Sequence, residues 1–308
     1  MRAVLFAYHD VGCRAIERLI RLKVEIPAVF THAEDQEENH WFGSVEKLCR
    51  ERNIPAYTPQ SVNLPEWIQK IKSLNPDILF SFYYRSLICK EILDLAPLGA
   101  YNLHGSLLPK YRGRVPINWA VINGETESGM TLHAMVEKAD AGDIVSQKKV
   151  KIDLTDTAHD LFLKLLPLTD LILSETIPQF IAGTLARTPQ NHALATVYGR
   201  RCPEDGRIDW TKSAQEIYNL VRGVTHPYPG SFTHYNGKKV YIWQAVTEEH
   251  NANEISHYLP GQVVSCLPLT VQCGKGQLVI LRSQSEEEED YTGSSWAKTH
   301  QVSIGSQF

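Results

Sequence analysis

The sequence lacks paired cysteines. Its six cysteines stand singly at positions 13, 49, 89, 202, 266 and 273, with no C-x-x-C spacing, which excludes a disulfide-stapled domain and suits a reducing, cytoplasmic setting. No apolar run reaches the roughly 18 residues a membrane span requires. The short apolar stretch before His9 reads as a first strand rather than a signal peptide. Excess positive charge is missing too: a formal net charge of -4 provides no global field for a nucleic-acid backbone. No Gly-x-Gly-x-x-Gly follows a strand, and Gly274-Lys-Gly276 lacks the third glycine, so a dinucleotide site is not expected. The twelve histidines are dispersed, without a His-Glu-x-x-His, which argues against a zinc hydrolase and leaves no metal site expected.

What is present is an ordinary soluble composition, 308 residues with 43% hydrophobic, enough for two domains. Strands at 2–7, 26–31, 55–57, 77–83 and 98–104 alternate with helices at 12–22, from Ser44, at 64–74 and from near Val115. Further strands at 129–136 and 144–152 and a long helix at 158–181 complete the first domain. That alternation predicts an α/β fold, a mainly parallel Rossmann-like sheet with helices on both faces. After a helix at 213–224 the pattern turns to short strands around Asn236-Gly237, which predicts a small OB-like β-barrel. The expected division is a catalytic domain over 1–183, a bridging segment over 184–209 lying across the surface, a C-terminal subdomain over 210–300 and a tail or linker over 301–308. The acids Glu286 to Glu289 read as a solvated loop.

The chemistry concentrates near residue 104. If Leu98 to His104 is a strand, Asn102 and His104 project from one face, because strand side chains alternate with period two. Gly105-Ser106 then ends the strand, where open α/β sheets bind ligands. An amide donor beside an imidazole supplies the parts of an acyl-transfer site. Lys110, Arg112 and Arg114 cluster where an anionic group can sit. Tyr83, Tyr84 and Tyr111 are candidates for stacking on a flat ring, or for core.

The string Asn102-Leu-His-Gly-Ser-Leu-Leu-Pro-Lys-Tyr-Arg-Gly-Arg114, followed by Glu137-Lys-Ala-Asp-Ala-Gly-Asp143, resembles the signature of the folate-dependent formyltransferases. The resemblance implies that Asn102, His104 and Asp140 act together, moving a formyl group from the co-substrate N10-formyltetrahydrofolate to an amine. Asn102 would donate to the developing oxyanion, and His104, kept protonated by Asp140, would pass a proton to the leaving nitrogen. It also implies that Ser86, Leu87 and Ile88 present backbone groups to the pterin, that Val136, Glu137, Lys138, Ala139 and Asp140 close over it, and that Arg114 contacts ligand.

Further strings, Phe6-Ala-Tyr-His-Asp10, Phe30-Thr-His32, Phe80-Ser-Phe-Tyr-Tyr-Arg85, Val197-Tyr-Gly-Arg-Arg201 and His226-Pro-Tyr-Pro-Gly230, resemble the branch that acts on nucleotide-linked amino sugars. Within it they are most similar to the formyltransferases of UDP-4-amino-4-deoxy-L-arabinose. In those the unit is joined to a dehydrogenase-decarboxylase half that can drive oligomerisation, and the product feeds lipid A modification and polymyxin resistance. The expected partner is thus a nucleotide sugar, with no nucleic acid and no membrane. Methionyl-tRNA formyltransferase is the nearest alternative, and the acidic stretch His32 to His40 argues against it. A non-catalytic folate or nucleotide-sugar binding protein is the alternative of another class.

Overall fold

The computed structural model describes residues 1–34, 39–248 and 257–308. In chain order the strands are β1 (Arg2–Ala7), β2 (Glu25–Phe30), β3 (Ala56–Tyr57), β4 (Ile78–Phe82), β5 (Ala100–His104), β6 (Arg112–Gly113), β7 (Glu127–Ala134), β8 (Ile144–Lys151), β9 (Val197–Tyr198), β10 (Ser231–Tyr235), β11 (Lys238–Glu248), β12 (Val263–Cys266), β13 (Leu269–Gln272), β14 (Gln277–Ser285) and β15 (Tyr291–Thr292). The helices are α1 (His9–Arg21), α2 (Val45–Glu51), α3 (Pro65–Ser73), α4 (Lys90–Leu93), α5 (Pro116–Ile122), α6 (Ala158–Ala182), α7 (Ala214–Val224) and α8 (Gly293–Thr299). Two compact units result: 1–116 with 127–151 and 162–199, and 117–126 with 152–161 and 200–308. No helix among the described residues is long and apolar enough to cross a membrane.

The first unit is built on a seven-stranded sheet in the order β3-β2-β1-β4-β5-β7-β8. The five strands from β3 to β5 run parallel, while β7 pairs antiparallel with β5 and β8 antiparallel with β7. Every residue of Ala3 to Ala7 is fully buried, so both faces of β1 are covered, as a parallel sheet flanked by helices requires. Val4 and Phe6 pack with Phe30, Leu79 and the α3 residues Ile68 and Ile71 in one apolar cluster. Local signals place the helices: Ser44 accepts the Lys47 N–H at 3.1 Å to start α2, and α1 carries Asp10 in its first turn and Arg18 and Arg21 in its last. The chain winds outward from β1 in one direction and returns through β4 in the other. Such a switch, here at the carboxyl ends of β1 and β4, is where open α/β sheets commonly bind ligands.

The second unit holds a six-stranded antiparallel sheet, ordered β10-β11-β14-β13-β12 with β15 on β14. Helix α7 starts on a reciprocal cap, Ser213 Oγ accepting from Glu216 N and Glu216 Oε2 accepting from Ser213 N. Its apolar side chains Ile217 and Val221, one turn apart on the same face, join Val240, Ile242, Leu269 and Trp296 in the core. Residues 301–308, expected as tail or linker, do not trail away: Val302 and Phe308 pack on that core. Burial of these two apolar side chains anchors the segment.

Candidate active site

β5 and β7 set the site. Their antiparallel register pairs Asn102 with His133 and His104 with Thr131, so four polar residues face each other across one ladder. The loop after His104 is tied back to β7: Thr131 Oγ1 donates to Ser106 O at 2.6 Å and accepts from Leu108 N at 3.2 Å, and Gln147 Nε2 donates to Leu108 O at 2.9 Å. This holds the Tyr111 carbonyl 2.7 Å from His104 Nε2. A carbonyl can only accept, so Nε2 carries the hydrogen.

Asp140 enters from the loop between β7 and β8. Gly142 lets that loop close, because a Cβ there would lie 2.1 Å from Ala134 O. Asp140 itself has φ +54. Its Oδ2 accepts the Gly113 N–H at 2.8 Å, and its Oδ1 lies 3.4 Å from His133 Nε2, 3.5 Å from Asn102 Nδ2 and 3.7 Å from His104 Nδ1. The expected trio of Asn102, His104 and Asp140 therefore meets, with Asp140 at its hub. His133 is a fourth member that the sequence reading missed. Its Nδ1 faces the Ala134 carbonyl at 2.9 Å and so carries the hydrogen, leaving Nε2 to accept from Asn102 Nδ2 at 3.2 Å. The signal was there: Thr131 and His133 are polar residues at period two among the apolar Met130 and Leu132.

The electrostatics correct one expectation. His104 was expected to be protonated through Asp140, but burial pushes the imidazole below its ordinary value, and attraction to Asp140 does not make up the difference. The 3.7 Å gap between Nδ1 and Oδ1 agrees, since a lone pair facing a carboxylate makes no hydrogen bond. Asp140 is driven up by burial, yet attraction to the His104 and His133 imidazoles in their charged form, together with the Gly113 N–H, outweighs that and holds it well below the usual carboxylate range. The resting pair is a carboxylate beside a neutral imidazole.

A formyl transferase family model matches residues 13–177, more than half of the chain, and a formyl transferase C-terminal domain model matches residues 202–301. The chain belongs to the formyl transferase family. Among solved structures, the fold is similar to WlaRD, a sugar 3N-formyltransferase solved in the presence of dTDP and 5-N-formyl-THF (TM-score 0.69, 20% identity, 94% of this chain and 99% of that one). It is similar as well to an N-formyltransferase from Helicobacter canadensis in complex with folinic acid and dTDP-3-aminofucose (TM-score 0.70, 20% identity, 92% and 99%). A methionyl-tRNA formyltransferase from Clostridium thermocellum shares the fold at TM-score 0.57 and 19% identity over 80% of this chain and 94% of that one.

Other expected residues of this formyltransferase lie as follows. Ser86, Leu87 and Ile88 form the loop after β4, with Leu87 74% exposed. Asn63 pins that loop, donating to Leu87 O and accepting from Cys89 N, each at 2.9 Å. Val136, Glu137, Lys138 and Ala139 are exposed on the loop that leads to Asp140. Arg114 is exposed, with no side-chain partner among the described residues. Arg112 does not join an exposed cation cluster: it is 3% exposed and donates to Gln190 Oε1 and His192 Nδ1. Tyr84 already stacks on His32 at 4.3 Å, and Tyr111 on Tyr198 at 5.0 Å, so both rings serve packing. Of the acidic stretch at 32–40, Asp35, Glu37 and Glu38 lie outside the described residues.

Proposed function

We propose that this formyltransferase moves the formyl group of N10-formyltetrahydrofolate to the amine of a nucleotide-linked amino sugar, UDP-4-amino-4-deoxy-L-arabinose in its most specific form. The observation that carries the reading is the convergence of Asn102, His104 and His133 on Asp140 at the carboxyl end of β5. The relatives solved with a formyl folate and a dTDP sugar support the folate and nucleotide-sugar classes. The motif strings near 6–10, 80–85 and 226–230 support the UDP sugar. The loop of Ser86 to Ile88 suits a pterin edge: among the described residues the backbone groups of Ser86 and Ile88 have no protein partner, so they are open to a ligand rich in ring donors and acceptors.

The residues divide the work as follows. Net transfer moves one proton from the attacking amine to the departing folate nitrogen as the new N–C bond forms and the old one breaks. His104 Nδ1, unprotonated at rest, takes that proton from the amine and returns it to the leaving nitrogen. In between, the imidazolium is neutralised by Asp140, which is already ionised. Asn102 has one amide hydrogen on His133 and a second only weakly engaged at 3.5 Å, and the second is available to the carbonyl oxygen as it gains charge. His133 fixes the Asn102 amide so that it presents that hydrogen.

The test incubates the protein with formyltetrahydrofolate and compares UDP-4-amino-4-deoxy-L-arabinose, dTDP-linked amino sugars and methionyl-tRNA as acceptors. Turnover dominated by the UDP sugar is expected. Dominant turnover of the tRNA overturns the assignment, and folate binding without formylation of any acceptor returns the chain to a binding role.

A further inference from the structure

Segment 184–209 was expected to bridge across the surface, yet Gln190 within it is 6% exposed. Its Nε2 donates to Asp140 O at 2.9 Å and to Gly142 O at 2.6 Å, and its Oε1 accepts from Arg112 Nε at 3.2 Å and from a second Arg112 nitrogen at 2.5 Å. One carboxamide thus satisfies two carbonyls on one side and a guanidinium on the other. No other neutral or charged side chain of that length offers two donors and an acceptor in this geometry. The loop it grips needs an external hold. Asp140 sits in the left-handed region at φ +54, which for a residue other than glycine is unfavourable by itself. Arg112 is in turn fixed through β6, whose partner β9 is in the same segment, with Arg112 opposite Val197 and Gly113 opposite Tyr198. Gly113, the donor to Asp140 Oδ2, is the next residue along. The backbone and the carboxylate of Asp140 are therefore clamped by one assembly of Arg112, Gly113 and Gln190.

We propose that Gln190, oriented by Arg112, is a positioning residue for Asp140. It touches no reacting atom. Its role is to hold the carboxylate within reach of His104, and the kinetic part of the proposal rests on the reaction given above.

The experiment compares wild type with Gln190→Met, which removes every hydrogen bond at similar length, and with Gln190→Glu, which keeps an acceptor for Arg112 but loses both donors to the loop. Two readouts are taken: amide hydrogen exchange at Gly113, and kcat with KM for formyltetrahydrofolate. Loss of two buried hydrogen bonds is expected to speed Gly113 exchange about tenfold or more. A small displacement of Asp140 is expected to lower kcat by about 10- to 100-fold while KM moves less than about threefold. Gln190→Glu is expected to behave like Gln190→Met, which separates the loop bonds from the Arg112 pairing. Unchanged Gly113 exchange in both folded variants overturns the positioning role. Should wild type transfer no formyl group, the reaction reading fails, and Gly113 exchange still decides whether Gln190 holds Asp140. Should Gln190→Met not fold, the Gln190→Glu data carry the same decision.

Discussion

Each unit of the molecule encloses an imidazole next to a carboxylate, and the two clusters differ in how completely they are closed. In the second unit His300 Nδ1 faces Trp296 O at 2.9 Å, its Nε2 lies 3.1 Å from Ser285 Oγ and 3.0 Å from Glu288 Oε2, and Trp296 Nε1 donates to Ser285 Oγ at 2.9 Å. Every nitrogen of that ring has a partner at hydrogen-bond length. In the first unit the His104 ring is so engaged through Nε2 alone, and the three approaches to Asp140 Oδ1 lie between 3.4 and 3.7 Å. A closed network holds a fold, whereas a loose one, fixed at its edges by Gly113, Tyr111 and Ala134, leaves capacity for a ligand. Both set an imidazole beside a carboxylate, so that pairing alone does not separate a structural histidine from a chemical one.

The sharpest way to break this comparison is to remove both rings. His104→Ala is expected to lower kcat by about 10²- to 10⁴-fold, the usual worth of a positioned acid-base group. His300→Ala is expected to leave kcat within about twofold and to lower stability by about 1–3 kcal/mol, since it takes a partner from buried Ser285. Steady-state kinetics and thermal melts on the two variants check this. An unchanged rate in His104→Ala, or a collapse of kcat in a folded His300→Ala, removes the distinction.

The fold was largely legible because its signals are local. Ser44 before Val45, Ser213 before Glu216, and apolar runs broken at Gly and Pro each specify their element without distant help. Asn102 and His104 were legible for the same reason, as strand alternation alone puts them on one face. Asp140 needed the family resemblance, because nothing in Ala139-Asp140-Ala141-Gly142 encodes the 38-residue separation it closes onto Asn102. His133 had a period-two signature but no reason to be matched to Asn102 until the β5–β7 register was known. Gln190 lies in an aperiodic stretch and carries no such mark. The charge of His104 was misjudged because proximity to a carboxylate can be guessed from sequence, whereas the degree of burial that opposes it cannot. Glu288 likewise belongs to a run that reads as a solvated loop, although it reaches His300.

A smaller effect sharpens the electrostatic side of the comparison. Because the folded His104 titrates below 6.5, the acid limb of kcat/KM is expected to have its midpoint below pH 6.5, the enzyme remaining active until the imidazole takes a proton. Stability follows the same sign. As pH falls through 6.5 the unfolded chain binds a proton at His104 that the native state refuses, so the stability of the fold declines. Asp140 adds a loss in the same direction at lower pH, below its unfolded value of about 4, as the unfolded carboxyl protonates before the native one. Urea melts at pH 8, 7, 6 and 5 on wild type and His104→Ala measure this, and the variant should be the flatter of the two between about pH 7 and 5. An acid limb centred above pH 6.5 would restore a protonated resting His104.

The smallest expected effect tests whether the second cluster is structural down to its least member. Ser285 is 1% exposed and accepts from Trp296 Nε1 while it faces His300 Nε2. Ser285→Ala keeps the volume nearly constant and leaves the indole N–H without its acceptor, so the expected loss is about 1–3 kcal/mol, the cost of one unsatisfied buried donor. Because Trp296 lies at 0% exposure in the core with Val240 and Ile242, no water takes the place of the hydroxyl without opening that core. Chemical denaturation should therefore show a lower midpoint at unchanged slope, and kcat and KM should both stay within about twofold, since a slope change would mean altered compactness rather than one lost bond. A variant as stable as wild type would show that the indole finds another acceptor, and the closed network of the second unit would then be as adaptable as the open one around Asp140.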